Sequence, residues 1–187
     1  LAVCLLPLLL PESATTLLEY QRNAIASGQL WRLWTGHLVH YSAAHAGLDG
    51  LACLVLAVGL QHVEHGRVLA LRLACIAPLL SLAIFVAAPE MQYYRGASGL
   101  VMAMLAAVWL TLWRAQRGWR VVLVLLAAAL LIKLAADALY PAQTMSSLPA
   151  GIKSAWQVHL AGLIGGIIFW WRSDLPAVLK PTDLSLP

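Results

Sequence analysis

The chain has 187 residues, of which 61% are hydrophobic and only 11% charged, with a mean hydropathy of +0.80 and a formal net charge of +4. A soluble domain carries roughly 25% charged residues, so this composition excludes one, and with it disorder, collagen, coiled coil and a disulfide-rich secreted scaffold. What remains is an all-α polytopic membrane protein: at ~20 residues per span the apolar content supplies five or six helices, and chemistry has to sit inside the bundle.

In chain order, the first apolar run, Leu1–Leu10, stops at Pro11-Glu12 and is too short to cross a bilayer. It reads as the end of a first membrane helix whose start lies upstream of residue 1. Glu12 to Arg32 is a polar connection. A second helix is expected over about His37–Leu60, followed by a polar hinge, Gln61–Arg67. The third runs from about Val68 to Ala88 and is stopped by Pro89-Glu90. Met91–Arg95 forms a loop, and the fourth helix covers about Ser98–Trp113. Arg114, Arg117 and Arg120 surround the next turn. The fifth helix spans about Val121–Leu139, a loop covers Tyr140–Lys153, and the sixth spans about Ala155–Trp171. Residues 173–187, with Pro176, Pro181 and Pro187, read as an irregular tail. Neither an internal repeat nor a β pattern is visible. Residues 1–187 therefore read as one membrane domain of six helices, since helices satisfy their own backbone in hydrocarbon.

The Arg residues scattered at helix ends read as topology, not as a nucleic-acid surface. Counted on alternate sides, Arg67, Arg72, Arg114, Arg117, Arg120, Arg172 and Lys180 make seven against four, Arg22, Arg32, Arg95 and Lys153, with Lys133 inside the fifth helix. By the positive-inside rule the loops after helices one, three and five lie outside the cytoplasm. Trp31, Trp34, Trp109, Trp113, Trp119, Trp156, Trp170 and Trp171 fall near the expected interfaces, as an aromatic belt would. Cys4, Cys53 and Cys75 sit in apolar runs. Their odd number and the lack of CxxC spacing argue against a disulfide framework or a thiolate metal site.

Ionisable residues within spans are expensive and point to function. Counting from the outer side, His45, Asp49, Ser98 and His159 all fall in the outer third to half of the bilayer at ~1.5 Å rise per residue. His159, Gly162 and Gly166 stand at i, i+3 and i+7 on one helix face, and Gly162-xxx-Gly166 is a close-approach motif for membrane helices. Gly99, Ala103, Ala106 and Ala107 offer a matching face on the fourth helix. Two helices packed through such residues bring a serine within reach of a histidine, the minimum for an activated nucleophile. Lys133 and Asp137, at i and i+4, read as a structural or snorkelling pair. His62 and His65 read as solvated hinge residues, and His37 and His40 as structural groups bonding the first outer loop.

At these residues the chain resembles the rhomboid family of intramembrane serine proteases, from Trp31 to about Gly166. Trp31-Arg32 followed by His40, His45 and Asp49 resembles the family pattern WR…HxxxxHxxxN. Gly96-Ala97-Ser98-Gly99 is similar to the GxSG motif that carries the nucleophile. His159 with Gly162 and Gly166 is similar to HxxGxxxG, whose histidine is the general base. The resemblance implies a six-helix core with a water-filled site open to the outer side, and membrane-anchored substrates that present a transmembrane segment from the bilayer. It implies no cofactor, no metal and no nucleic-acid partner. The small size and the stretch Thr35–His40 resemble the rhombosortase branch, which implies processing of short C-terminal membrane tails of bacterial surface or secreted proteins and an inner-membrane location.

One departure stands out. The family has Asn at the position of Asp49, where its side chain, the histidine matching His45 and the serine amide form the oxyanion hole. An ionised Asp cannot donate a hydrogen bond. Asp49 is then protonated, or it orients His45, or the chain is an inactive relative. Gly96 and Gly99 would permit the sharp entry into the fourth helix. Two other classes compete. His37, His40, His45 and Asp49 are potential metal ligands, without an HExxH motif. A transporter or binding protein is the other, although the chain lacks the inverted repeats expected of a transporter.

Overall fold

A computed structural model describes residues 5–140 and 155–171. The protein is all-α and multi-pass. Among the described residues, four helices are long and apolar enough to cross a membrane: α4 (Ala43–Leu60), α5 (Gly66–Ala87), α6 (Ser98–Ala115) and α7 (Arg120–Leu139). A shorter apolar helix, α8 (Trp156–Trp170), packs among them. Three short helices precede α4: α1 (Glu12–Leu18), α2 (Arg22–Ala26) and α3 (Arg32–Thr35). Of the expected first span, Leu6–Leu9 form a 3-10 turn. Cys4, Lys153 and the tail from Arg172 lie outside the described residues.

Two differences from the sequence expectations are physical in origin. The second membrane helix begins at Ala43, not near His37. Ser42 is extended and its Oγ accepts the amide of His45 at 3.1 Å, a side-chain cap that fixes the start. Residues 36–42 instead form a loop whose Val39, His37 and His40 are buried. The second difference is a two-residue antiparallel pair, β1 (Tyr20–Gln21) with β2 (Tyr93–Tyr94), too short to leave a periodic signature. It joins the first connection to the segment just before Ser98.

That first connection is held from within. Arg32 is buried and donates from one Nη to the carbonyls of Thr16 and Glu19, both at 2.8 Å, while its Nε donates to Gln29 Oε1. A five-donor guanidinium is suited to collecting carbonyl groups that no helix satisfies. Arg95, just after β2, bonds Glu19 at 2.8 Å and Glu12 at 2.7 Å.

Helix α5 contains Pro78. Proline has no N–H for the carbonyl four residues back, and that carbonyl, Ala74 O, accepts the indole N–H of Trp34 at 2.9 Å. Trp34 thus repairs a defect in a membrane helix as well as facing outward. At the other end of the bundle Trp170 is buried, contrary to its reading as a belt residue. Its indole donates to Glu64 at 2.9 Å, and the Arg72 guanidinium lies 4.8 Å over its ring. Arg72, expected as a plain topology charge, also donates to the carbonyl of Phe169 at 2.6 Å, so it fastens the end of α8 to α5. Lys133 and Asp137 pair along α7 at 2.5 Å.

Candidate active site

The glycines decide where α6 meets α8. A Cβ built at Gly162 would run into the carbonyl oxygen of Gly99, and one at Gly166 into that of Ala103. On the facing helix, a Cβ at Gly99 would lie 2.7 Å from Val158 Cγ1 and 2.9 Å from Leu80 Cδ1. The two backbones therefore touch over two turns, the close approach expected of small residues in membrane helices.

The entry to α6 is equally constrained. Gly96 has φ +136°, and a Cβ there would lie 2.9 Å from His45 Cε1. Both the backbone conformation and the space require glycine. Its amide donates to Gly36 O at 3.1 Å, and its carbonyl accepts the Tyr94 hydroxyl at 2.7 Å. Burial raises the Tyr94 phenol above its ordinary pKa, which keeps it a donor. His37 Nε2 lies 2.9 Å from Ala77 O, and its Nδ1 lies 3.3 Å from Gly96 O. Ser81 Oγ donates to Leu33 O at 2.8 Å and lies 3.1 Å from His37 Nε2. The turn before Ser98 is thus pinned on three sides.

Ser98 opens α6 and His159 lies in the first turn of α8. Ser98 Oγ is 2.9 Å from His159 Nε2. His159 Nδ1 has no hydrogen-bond partner among the described residues, so none of them adds a third member to the pair. A hydroxyl donating to an imidazole is the pairing that activates a nucleophile.

Asp49 lies beside this pair, in the second turn of α4. Its Oδ2 accepts the amide of Ala97 at 2.8 Å and lies 3.1 Å from His40 Nε2 and 3.5 Å from His45 Nε2. The two imidazoles meet edge to face at 5.0 Å, and the Tyr41 ring stacks parallel to His45 at 6.2 Å.

Residues 27–173 match the Rhomboid domain family. The chain belongs to the rhomboid family. No curated protein matches it. Rhomboid domains characterise intramembrane serine proteases and their relatives, and this rhomboid is an integral, multi-pass membrane protein.

The rhomboid fold brings Ser98, His159, His45, Asp49, Gly96, Gly99 and Gly162 together, with Gly166 packed a turn further along against Ala103. Ser98 meets His159, His45 and Asp49 border Gly96, and Gly99 lies against Gly162. With α4 starting at Ala43, His45 and Asp49 stand in its first two turns, nearer the helix start than counting from His37 suggested. His37 bonds α5 and the Gly96 carbonyl. His40, read as a loop group, faces Asp49 inside the site. Helical periodicity could not reveal this, because His40 precedes the helix; its presence in HxxxxHxxx was the available signal. Tyr94 carried no signal, since nothing in the sequence pairs a lone tyrosine with the carbonyl two residues on. Among the described residues no group of His, Cys, Asp and Glu is disposed to hold a metal ion.

Proposed function

We propose that this rhomboid is an intramembrane serine endopeptidase working through a Ser98–His159 dyad. The observation that carries the reading is the 2.9 Å contact between Ser98 Oγ and His159 Nε2 at the start of two glycine-packed helices. Ser98 Oγ attacks the scissile carbonyl carbon of a substrate segment while His159 Nε2 takes its proton. The tetrahedral oxyanion is met by the Ser98 amide, which as a first-turn amide has no helical partner, and by His45 Nε2–H. Losing one such donor lowers the rate by ~10²–10³. The intermediate collapses with cleavage of the C–N bond, and His159 returns the proton to the leaving amine. Water then attacks the acyl-enzyme with His159 again as base, which releases the acid product and restores Ser98. The residues 1–187 act as one catalytic domain, and the chemistry calls for no metal or cofactor.

The substrates are membrane-anchored proteins that present a transmembrane segment from the bilayer. The Thr35–His40 stretch supports the narrower rhombosortase assignment, with C-terminal sorting tails as substrates. The seven-to-four excess of Lys and Arg supports an active site facing the periplasm or exterior of a bacterial inner membrane. One observation favours a second reading, an inactive rhomboid-like binding factor: the Asp49 carboxyl group, and not an amide side chain, accepts the amide of Ala97 next to Ser98.

A fluorophosphonate probe on detergent-purified protein, paired with cleavage of a membrane-anchored reporter, tests the assignment. Wild type is expected to label and cleave, and Ser98→Ala and His159→Ala to do neither while keeping the fold. A folded wild type that neither labels nor cleaves favours the binding factor, and residual cleavage by Ser98→Ala sinks the dyad.

A further inference from the structure

We infer that Asp49 is a built-in anion in the donor pocket beside Ser98 and competes with the substrate oxyanion for His45, the donor that the pocket shares with the proposed mechanism. The pocket itself stands on geometry alone; the competition rests on the protease reading above. Three nitrogens converge on a single oxygen, Asp49 Oδ2: the Ala97 amide at 2.8 Å, His40 Nε2 at 3.1 Å and His45 Nε2 at 3.5 Å. The amide can only donate. The imidazole tautomers follow from the other ring nitrogen: Nδ1 of His40 and Nδ1 of His45 are both buried without a hydrogen-bond partner. A proton on Nδ1 would leave a buried N–H unbonded and turn a lone pair toward a carboxylate. A proton on Nε2 avoids both penalties. The Ala97 amide and His40 Nε2 thus bond one carboxyl oxygen, with the amide also 3.4 Å from His40 Nε2, and His45 Nε2 stands 3.5 Å from the same oxygen.

Like the alkoxide that forms when Ser98 attacks a carbonyl, a carboxylate oxygen is an anionic acceptor for N–H donors. The Ala97 amide belongs to the residue directly before the nucleophile, and His45 is the side chain that the proposed mechanism needs as a donor. The pocket is also tight. Gly96 supplies its wall, and a Cβ there would lie 3.0 Å from His45 Nε2 and 3.4 Å from Asp49 Oδ2. Asp49 thus serves as an intramolecular competitor, a positioning residue that keeps the donors aligned at rest and slows acylation. An amide side chain at this position would be neutral and a far weaker competitor.

The test uses the full chain in detergent with formate, which is the carboxylate group of Asp49 without its tether. Asp49→Ala is expected to show a saturable, formate-dependent rise in Tm that wild type lacks, with matched chloride as the ionic-strength control. It is also expected to react with the fluorophosphonate at least about ten-fold faster than wild type, with formate slowing that reaction toward the wild-type rate. Asp49→Asn, close in shape and kinder to the fold, is expected to label faster than wild type too. Absence of a formate effect on Tm overturns the pocket. Slower labelling of Asp49→Asn than of wild type overturns the competition. A failure of the protease reading looks different: no variant labels, yet the formate effect on Tm persists, including in Ser98→Ala/Asp49→Ala.

Discussion

Gly162 lies so close to the Gly99 carbonyl oxygen that a methyl group at residue 162 has no space. His159 sits one turn before Gly162 on the same face, so the spacing of α6 and α8 sets the Ser98–His159 distance. Gly162→Ala is therefore expected to push the helices apart, cost about 1–3 kcal/mol by overpacking, and lower fluorophosphonate labelling about 10²-fold, as a displacement of about 1 Å does to aligned groups. Gly165 provides the control. A Cβ there meets Ile76 Cγ2 at 3.6 Å, an ordinary contact, so Gly165→Ala should keep wild-type labelling. Equal losses in the two variants would show that helix composition, not this contact, governs the site.

Trp34 and Pro78 are coupled through a carbonyl that neither owns. Trp34→Phe leaves Ala74 O, on the outward face of a membrane helix, without its indole donor, and a carbonyl unsatisfied in hydrocarbon costs about 1–3 kcal/mol. Pro78→Ala supplies the missing N–H within the helix. In the Pro78→Ala background, Trp34→Phe is expected to cost at least about 1 kcal/mol less than in wild type. Unfolding of the four proteins in mixed micelles closes the double-mutant cycle, and purely additive losses would remove the repair role from Trp34.

The sequence was most legible where a local rule has one outcome. Helices α5 to α8 begin and end within two residues of expectation, because long apolar runs between charged or proline-bearing turns admit little else. Ser98 and His159 were recognisable from glycines that a membrane helix uses for close packing. The loop from Gly36 to Ser42 was not legible, since its apolar and aromatic residues continue the pattern of α4, and only the Ser42 cap separates them. The roles of His40, Tyr94 and Trp34 were hidden for another reason. Each is defined by one polar atom on a distant segment, and periodicity carries no information about such pairs.

His37 carries a pH dependence with a definite sign. It is buried between α5 and the Gly96 carbonyl, and burial pushes its pKa down to about 4 from the usual 6.5, against the pull of the Ala77 and Gly96 carbonyls. A proton is thus bound more tightly in the unfolded chain. Stability is full above about pH 6.5 and falls as the pH drops toward 4, where the loss levels off. The shift corresponds to a loss on the order of 3 kcal/mol. Thermal unfolding followed from pH 7 to 4 is expected to show a shallower decline in His37→Gln than in wild type. Parallel curves would mean that His37 does not contribute to acid sensitivity.

Arg95 joins the first connection to the turn that carries Ser98, and its two carboxylate partners differ in burial. Its Nε bonds Glu19, whose side chain is 6% exposed, and an Nη bonds Glu12, whose side chain is 75% exposed. The Coulomb energy of the exposed pair is screened by water, so Glu12→Ala should cost a few tenths of a kcal/mol. Glu19→Ala leaves a largely buried guanidinium with its exposed partner alone, and about 3 kcal/mol is expected. The consequence should reach the site as well. Arg95 immediately precedes Gly96 and lies 5.4 Å over the Tyr41 ring, which stacks on His45. Glu19→Ala is therefore expected to slow labelling of Ser98 about ten-fold, where Glu12→Ala leaves it unchanged. Unfolding and labelling measured on both variants decide the matter, and a Glu19→Ala protein with wild-type labelling would confine Arg95 to holding the outer loop.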